Sequence, residues 1–342
     1  MTHRPLVSVI VPAKDQAPYI SDALASLALQ FDDPAALEVL VVDDGSTDGT
    51  GELAASFAAR LPGLRVLRNE SPAGLATARN QGLDAAGGAY IAYLDGDDWL
   101  APGHLAACLD SLRRLDVDFV RTDHVTAEQG VRTLVRAPQA RRGIALDPRE
   151  SILPDRESTL VDYPYAWAGM FQRRVAERGL LHFPDGLRTA EDRPWIWNLH
   201  LNAASYAVVN APGVIYRRGV STSLTQIFDE RQLDFLPSFR LVFGLIRACE
   251  DSTLFWPKAA RQFGAIACHH LGREESWPEE LRPRLRAGIT EALAELPPNV
   301  CTDALEDLDA ERRAVLQPLL PPIPGGTGRF AGVPAVPAGV LP

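Results

Sequence analysis

Along the first 125 residues, short apolar runs alternate with amphipathic stretches. Val7–Val11 is mostly β-branched, the pattern of a strand buried on both faces of a parallel sheet. Tyr19–Gln30 carries Ile20, Leu24, Leu27 and Ala28 at helical spacing. Glu38–Val42 predicts a second buried strand that stops at Asp-Asp-Gly-Ser. Asp48–Arg60 predicts a helix, Leu64–Asn69 a strand, Gly74–Ala86 a helix, and Tyr90–Leu94 a strand ending at Asp95-Gly-Asp97-Asp98. Strands and helices alternating at this pitch imply a parallel sheet with right-handed crossovers. Ligands of such sheets gather at the carboxyl ends of the strands. Asp15, Asp43, Asp44, Asp95 and Asp97 lie just past those ends, so they are expected on one rim.

The rest of the chain is less regular. Phe119–Asp123 predicts a strand, and Val131–Pro138 with Arg141-Arg142-Gly143 a hairpin or loop. Arg193–Ala204 has helical spacing, while Tyr206–Val209 and Gly213–Arg217 predict two short strands. From Asp229 to Arg286 the pattern is mainly helical, with breaks expected near Pro257 and Pro278, and a weaker helical pattern continues to Leu316. Residues 318–342 hold 7 Pro and 5 Gly, a linker-like composition.

Charge changes the picture more than composition does. The chain has 342 residues, 46% of them hydrophobic, enough for a sizeable core in two domains or one large α/β domain with an appendage. Its formal charge is −10, and residues 1–110 alone carry 6 basic and 15 acidic side chains. Such a face repels a phosphate backbone, so no nucleic-acid partner is expected. It can still hold an anionic ligand through a divalent cation. The four cysteines lie far apart without zinc spacing and read as reduced thiols of a cytoplasmic protein. The first residues read as a strand rather than a signal peptide, and no apolar stretch reaches bilayer-spanning length. A cytoplasmic enzyme is expected, with peripheral attachment to the inner membrane face left open.

Asp95-Gly-Asp97 places two carboxylates at i and i+2 beyond a strand, where both can face one Mg²⁺ or Mn²⁺. A solvated turn capping the next helix would have the same sequence. Asp43 or Asp44 can accept from a uracil imide or ribose hydroxyls, or simply form a turn while Asp48 caps a helix. Arg79 is a cation on a helix of small and apolar residues, suited to a surface ion pair or to a phosphate or base contact.

In order, Val-Ser-Val-Ile-Val-Pro, Val-Val-Asp-Asp-Gly-Ser-Thr-Asp, Gly-Leu-Ala-Thr-Ala-Arg-Asn and Tyr-Leu-Asp-Gly-Asp-Asp resemble the family 2 glycosyltransferases of the GT-A fold over residues 5–125. The resemblance implies a Rossmann-like, mostly parallel α/β sheet flanked by helices, a nucleotide-diphosphate sugar donor that is most often UDP-linked, and inversion at the anomeric carbon. It implies a nucleotide-sugar-binding half at 1–125 and an acceptor-binding, catalytic half at 126–228. A helical C-terminal region at 229–316 and a Pro/Gly-rich tail at 317–342 follow.

Carried over by position, Pro12 and Asp15 line the nucleotide pocket, Asp44 meets the uracil and Arg79 makes a further nucleotide contact. Asp95 serves the ribose or metal, and Asp97 holds a Mn²⁺ or Mg²⁺ that bridges the diphosphate. Lys14-Asp15-Gln16 departs from the family's aromatic-Asn-x-Glu after the first proline. Thr189-Ala-Glu191-Asp192-Arg-Pro is similar to the family's Glu-Asp motif, which implies Asp192 as base and Glu191 as its neighbour; a helix N-cap is the alternative for Asp192. Val214–Ser223 is similar to a loop that closes over the diphosphate, with Arg217, Arg218, Ser221 and Ser223 as candidates or as parts of a solvated loop. Trp167, Trp195 and Trp197 are candidates for stacking on a sugar, although Trp195 and Trp197 cannot both face one side of a helix. Tyr163–Gly169 reads as an acceptor-side loop, and His269-His270 as a core or helix-end pair.

The expected activity is hexosyl or N-acetylhexosaminyl transfer to a polysaccharide, wall polymer or other glycan. Arg141, Arg142, Arg217 and Arg218, in a middle third of net positive charge, suit an anionic acceptor. A nucleotidyltransferase acting on sugar phosphates and a non-catalytic nucleotide-sugar-binding module are the alternatives.

Overall fold

A computed structural model describes residues 4–219, 228–306, 308 and 310–320. The apolar runs form β1 (Val7–Ala13), β2 (Leu37–Asp43), β3 (Leu64–Arg68) and β4 (Tyr90–Tyr93), and β1 and β2 are buried along their whole length. Between them lie α1 (Ile20–Leu27), α2 (Thr50–Ala55) and α3 (Leu75–Ala85). β3, β2, β1 and β4 pair in parallel in that spatial order. α3 lies close on this sheet: a Cβ added at Gly82 would stand 2.4 Å from Ile10 Cγ2.

The second half extends the same sheet. A short β5 (Trp99–Leu100) leads to α4 (His104–Leu115), then β6 (Phe119–Glu128), β7 (Val131–Val135) and β8 (Gly169–Gln172). After α5 (Arg173–Glu177) and α6 (Asp192–Asn202) comes β9 (Tyr206–Arg217). β8 inserts antiparallel between β4 and β6, where a Cβ at Gly169 would lie 2.1 Å from the Val120 carbonyl oxygen. The order continues β6, β9, β5, making a nine-stranded sheet with β7 hanging on β6. The division near residue 125 therefore falls inside β6, and one sheet serves both halves. The two short strands expected at 206–217 are two ladders of one strand. Tyr206–Val209 pairs with Phe119–Thr122 and Val214–Arg217 with His124–Ala127, the register jumping at Asp123.

The C-terminal region is helical: α7 (Phe235–Arg247), α8 (Ser252–Leu271), α9 (Arg282–Ala294), α10 (Pro298–Glu306) and α11 (Ala310–Leu316). Pro257 lies inside α8 and does not interrupt it. Its missing N–H leaves one helical bond unmade, and the buried neighbours Phe255, Trp256, Ala259 and Ala260 hold the helix across it. Phe235, Phe239, Phe243 and Phe263 pack ring against ring between α7 and α8. A buried polar chain docks α8 on the sheet domain. Trp197 donates to Gln262, Gln262 donates to Asp162, and Lys258 donates to Asp162 and to the Glu157 carbonyl. Among the described residues, no helix is long and apolar enough to cross a membrane.

Candidate active site

The carboxylates expected on one rim are each fastened differently. Asp15 follows β1 with a left-handed φ of 51°, and its Oδ1 accepts the Thr47 N–H at 2.9 Å. That bond and Lys14 lower its pKa against burial. Pro12 is a buried residue of β1, paired with Val42. Asp43 Oδ1 accepts from the Ser46 N–H, and Arg68 stands 3.4 Å from its other oxygen. Asp44 holds the next crossover: Oδ1 accepts from Asn69 Nδ2 and the Ala73 N–H, and Oδ2 from the Gly74 N–H. A carboxylate offers about four lone-pair directions, so roughly one remains on Oδ2 for a ligand.

The turn after β4 is built around Gly96. A Cβ there would lie 3.2 Å from Ala13 Cβ and 3.3 Å from the Pro12 carbonyl oxygen. The missing side chain lets Asp95 and Asp97 sit against the end of β1. Burial, and then the Asp95 charge, push the Asp97 carboxyl up to about 6. Asp98 is fully buried and raised for the same reason, with its Oδ1 accepting the Arg217 N–H at 2.7 Å.

Arg217 does not reach toward a diphosphate. Its guanidinium lies between the rings of Trp99 and Tyr19, 4.6 and 4.9 Å from their centroids. It donates through Nε to the Asp97 carbonyl and through Nη2 to Asp22, both at 2.9 Å, and so secures the acidic turn from below. Arg218 is exposed beside Tyr216, 5.9 Å from that ring. Ser221 and Ser223 lie outside the described residues.

Arg79 takes a role the motif order does not reveal. Its side chain is buried, with Nη2 on Asp95 and Nη1 on Glu191, each at 2.9 Å, and its guanidinium over Phe183. Burial alone would lower its pKa, but Asp95 and Glu191 outweigh that and raise it. Arg79 ties the acidic turn after β4 to a second one separated from it by almost a hundred residues. Neighbouring Asn80 exchanges two bonds with the backbone of Phe183, one donated by Nδ2 and one accepted by Oδ1, each at 2.8 Å.

The second turn enters α6. Ala190 has φ 57°, a left-handed conformation that costs a residue with a Cβ about 1–2 kcal/mol. Glu191 follows as the helix N-cap without a side-chain cap bond, and Asp192 is the first helical residue. The Asp192 carboxylate is about a third exposed, with Arg193 no nearer than 3.9 Å. The alternative in which Asp192 merely caps the helix therefore fails. Glu191 is buried, and burial pushes its carboxyl up, the Asp192 charge adding and Arg79 opposing.

An aromatic wall stands beside these carboxylates. Tyr165 stacks on Trp167 at 4.7 Å, Trp167 leans on Tyr216 at 5.4 Å, and His124 contacts all three rings. Burial raises the Tyr165 hydroxyl, with Arg193 and Arg218 opposing and Asp192 adding; burial, then Asp98, raises that of Tyr216. Tyr165 and Tyr216 keep partly exposed faces, whereas Trp167 is buried. Trp195, expected to stack on a sugar, is instead core: it is 1% exposed, lies flat on Phe183 at 5.1 Å and donates to the Leu181 carbonyl. Trp197 is also fully buried, because the next helix, α7, covers the face of α6 that a lone amphipathic helix would expose. The Tyr216 part of the wall had no signal in the sequence; it faces the site because β9 pairs in parallel with β6.

No three potential metal ligands converge among the described residues. Divalent ions at phosphate-transfer sites are held through one or two carboxylates, with substrate oxygens completing the shell. Both oxygens of Asp95 are engaged by Arg79, at 2.9 and 3.3 Å. Asp97, raised by burial and then by the Asp95 charge, is the oxygen donor at this turn that Arg79 leaves open.

A parallel half-sheet with acidic turns at its carboxyl ends, continued by a mixed half that delivers a second acidic turn, is the architecture of the GT-A fold. The solved structure of Staphylococcus aureus TarS residues 1–349 in complex with UDP-GlcNAc superposes with a TM-score of 0.73, covering 91% of this chain and 90% of that one at 20% identity. A mannosyltransferase of Pyrobaculum calidifontis in complex with GDP-Man and Mn²⁺ reaches 0.50 at 20% identity, over 93% of this chain and 80% of that one. The chain belongs to glycosyl transferase family 2, whose model matches residues 8–180. The uncharacterized glycosyltransferase EpsJ of Bacillus subtilis is 29% identical over 72% of this chain and 73% of its own length. The poly(ribitol-phosphate) β-N-acetylglucosaminyltransferase TarS is 27% identical over 69% of this chain, which spans 39% of that protein.

Proposed function

We propose that this chain transfers a hexose or N-acetylhexosamine, with inversion, from a UDP-linked donor to a hydroxyl of a glycan or other polymer, Asp192 serving as base. The observation that carries the reading is the pairing of two acidic turns through Arg79: among the described residues, one carboxylate of each is left open, Asp97 without a side-chain partner and Asp192 with only Arg193 at 3.9 Å, and an aromatic wall stands next to them. Asp44 has one acceptor direction left for an imide N–H, and Asp15 and Pro12 close the same rim at β1. The relatives support the substrate class, since TarS is crystallised with UDP-GlcNAc and named for a polymer acceptor.

Asp97, with Asp95 behind it, would hold the divalent cation, which when bound neutralises the charge of the diphosphate. Asp192 takes the proton of the acceptor hydroxyl as that oxygen bonds to the anomeric carbon. The bond from that carbon to the diphosphate oxygen breaks, and the electron pair leaves with the nucleotide. Attack and departure on opposite faces invert the centre. Exposed Arg218, beside the wall, is placed to meet the leaving charge. Tyr165 and Tyr216 present ring faces on which a sugar can stack.

Of the four arginines that suit an anionic acceptor, Arg218 is the exposed one left without an ion pair among the described residues. Arg142 is bidentate on Asp123, Arg141 pairs with Glu150 and Arg217 with Asp22. Nucleotide release from UDP-glucose, UDP-galactose and UDP-N-acetylglucosamine, with and without Mn²⁺, tests the reading. Asp192→Asn is expected to lose transfer by about 10²–10⁴-fold while UDP binding is kept. Unchanged transfer would reject Asp192 as the base, and indifference of both wild type and Asp97→Ala to Mn²⁺ would reject the cation.

A further inference from the structure

The residues that lead into the Glu191–Asp192 pair are gripped one after another by the C-terminal region. The Arg188 N–H donates to Asp234 Oδ2, the Thr189 hydroxyl to the Arg231 carbonyl, and the Ser238 hydroxyl to the Ala190 carbonyl, each at 2.7 Å. Three consecutive residues thus bond to the short 230–234 helix and to the first turn of α7. The third of them, Ala190, is the residue at φ 57°. A backbone in that region persists only where its surroundings over-determine it, and it marks a place where geometry is being imposed.

Ser238 is an anomaly on its own helix. It is fully buried on the face of α7 formed by Phe235, Phe239, Val242, Phe243 and Ile246. Those residues suffice to bury the helix, and a hydroxyl among them is costly unless bonded. Its bond goes to the one carbonyl whose peptide continues directly into Glu191. Glu191 then holds Arg79, and Asp192, a third exposed with Arg193 at 3.9 Å, faces the site. Helix, strained turn and carboxylates form one mechanical sequence.

We propose that the C-terminal helical region is a positioning element for the acceptor-side carboxylates, with Ser238 as the positioning residue; this rests on the reading of Asp192 as base. Ser238 touches no substrate. It holds the Ala190 turn so that Asp192 meets the acceptor hydroxyl in line with the departing diphosphate.

The test uses the full chain with Ser238→Ala, Ser238→Thr, Thr189→Val and Asp192→Asn. Wild type is screened for nucleotide release with UDP-glucose, UDP-galactose, UDP-N-acetylglucosamine and GDP-mannose, and the fastest donor serves for all variants. Displacing a catalytic group by about 1 Å costs roughly a hundredfold in rate. Ser238→Ala is therefore expected to lower kcat by about 10- to 100-fold, with the donor KM and the calorimetric affinity for UDP with Mn²⁺ within about twofold of wild type. Ser238→Thr, which keeps the hydroxyl, recovers most of the rate. Thr189→Val, cut at a different tether, shows the same split between kcat and KM and decides the matter if Ser238→Ala does not fold. A folded Ser238→Ala with wild-type kcat overturns the proposal, as does a loss of UDP affinity that parallels the loss of rate. An active Asp192→Asn refutes the base instead, whereas an inactive Asp192→Asn beside fully active Ser238→Ala and Thr189→Val refutes only the clamp.

Discussion

Replacing Arg79 by methionine removes the cation between Asp95 and Glu191 while keeping a side chain of similar length. Asp95 is a quarter exposed and can be rehydrated, but Glu191 cannot, since its side chain is only 7% exposed. Breaking a buried pair by removing one partner costs about 3–5 kcal/mol, because the other charge is left uncompensated. Unfolding entropy scales as about 2.1 cal/mol/K per residue, so a loss of that size in 342 residues lowers Tm by about 4–7 °C.

The pH dependence carries the sharper signature. Without Arg79, burial and Asp192 act on Glu191 with only a backbone hydrogen bond opposing, and drive its folded pKa further above the unfolded carboxyl value. Between those two values the native state binds the extra proton, so stability of the variant falls as pH rises and is regained toward about pH 4.3, the unfolded carboxyl value. The deficit against wild type is therefore largest near pH 8 and shrinks toward pH 5. Thermal melts of wild type, Arg79→Met, Glu191→Gln and the double variant across that range measure it, the double variant supplying the coupling energy. A deficit below about 1 kcal/mol at pH 8, or one equal at pH 5 and pH 8, would refute the ion-pair reasoning.

Three further outcomes follow from other parts of the molecule. Asp162→Ala strands Lys258, 2% exposed, in the seam under α8 and is expected to cost about 3–5 kcal/mol; a melt within about 1 kcal/mol of wild type would show that the seam is held by packing alone. Gly96→Ala pushes a methyl against the end of β1, costing about 1 kcal/mol of stability, but lowers UDP affinity in Mn²⁺ about tenfold by shifting Asp97; unchanged calorimetric affinity contradicts it. Burial lowers His124 to about 4 and His200 to about 3, with Arg121 adding to both. The unfolded chain therefore binds more protons below about pH 6.5, and each histidine withdraws about 2 kcal/mol of stability by pH 5. Denaturant melts should show wild type losing about 4 kcal/mol relative to a His124→Gln/His200→Gln variant between pH 7.5 and pH 5, and parallel curves would rule this out.

Much of the first half was legible in the chain. A strand buried on both faces must be mostly apolar, with any polar residue paired as Ser8 is with Glu38, so β1, β2 and β4 stood out as apolar runs, and the acidic turns marked their ends. β8 was not legible because four residues carry too little pattern, and its place depends on Gly169 meeting the Val120 carbonyl. Trp195 and Trp197 misled for a related reason: an amphipathic reading assigns one face of a helix to solvent, but Trp195 packs on Phe171 and Phe183 while Trp197 reaches Gln262 of α8, so both faces are covered.

The order of motifs in the sequence pointed to the family, the acidic rim after the strands and a second acidic turn at Glu191–Asp192. These depend on local backbone chemistry: β-branched runs, glycines where a Cβ has no room, and carboxylates just past strand ends. Only the tertiary structure decided what those residues do to one another. It made Arg79 the bridge between Asp95 and Glu191, and Arg217 a brace under Asp97. It also set Ser238 against the turn before Asp192. Each of these is a pairing across tens to more than a hundred residues, and no local pattern encodes which cation will be desolvated beside which carboxylate.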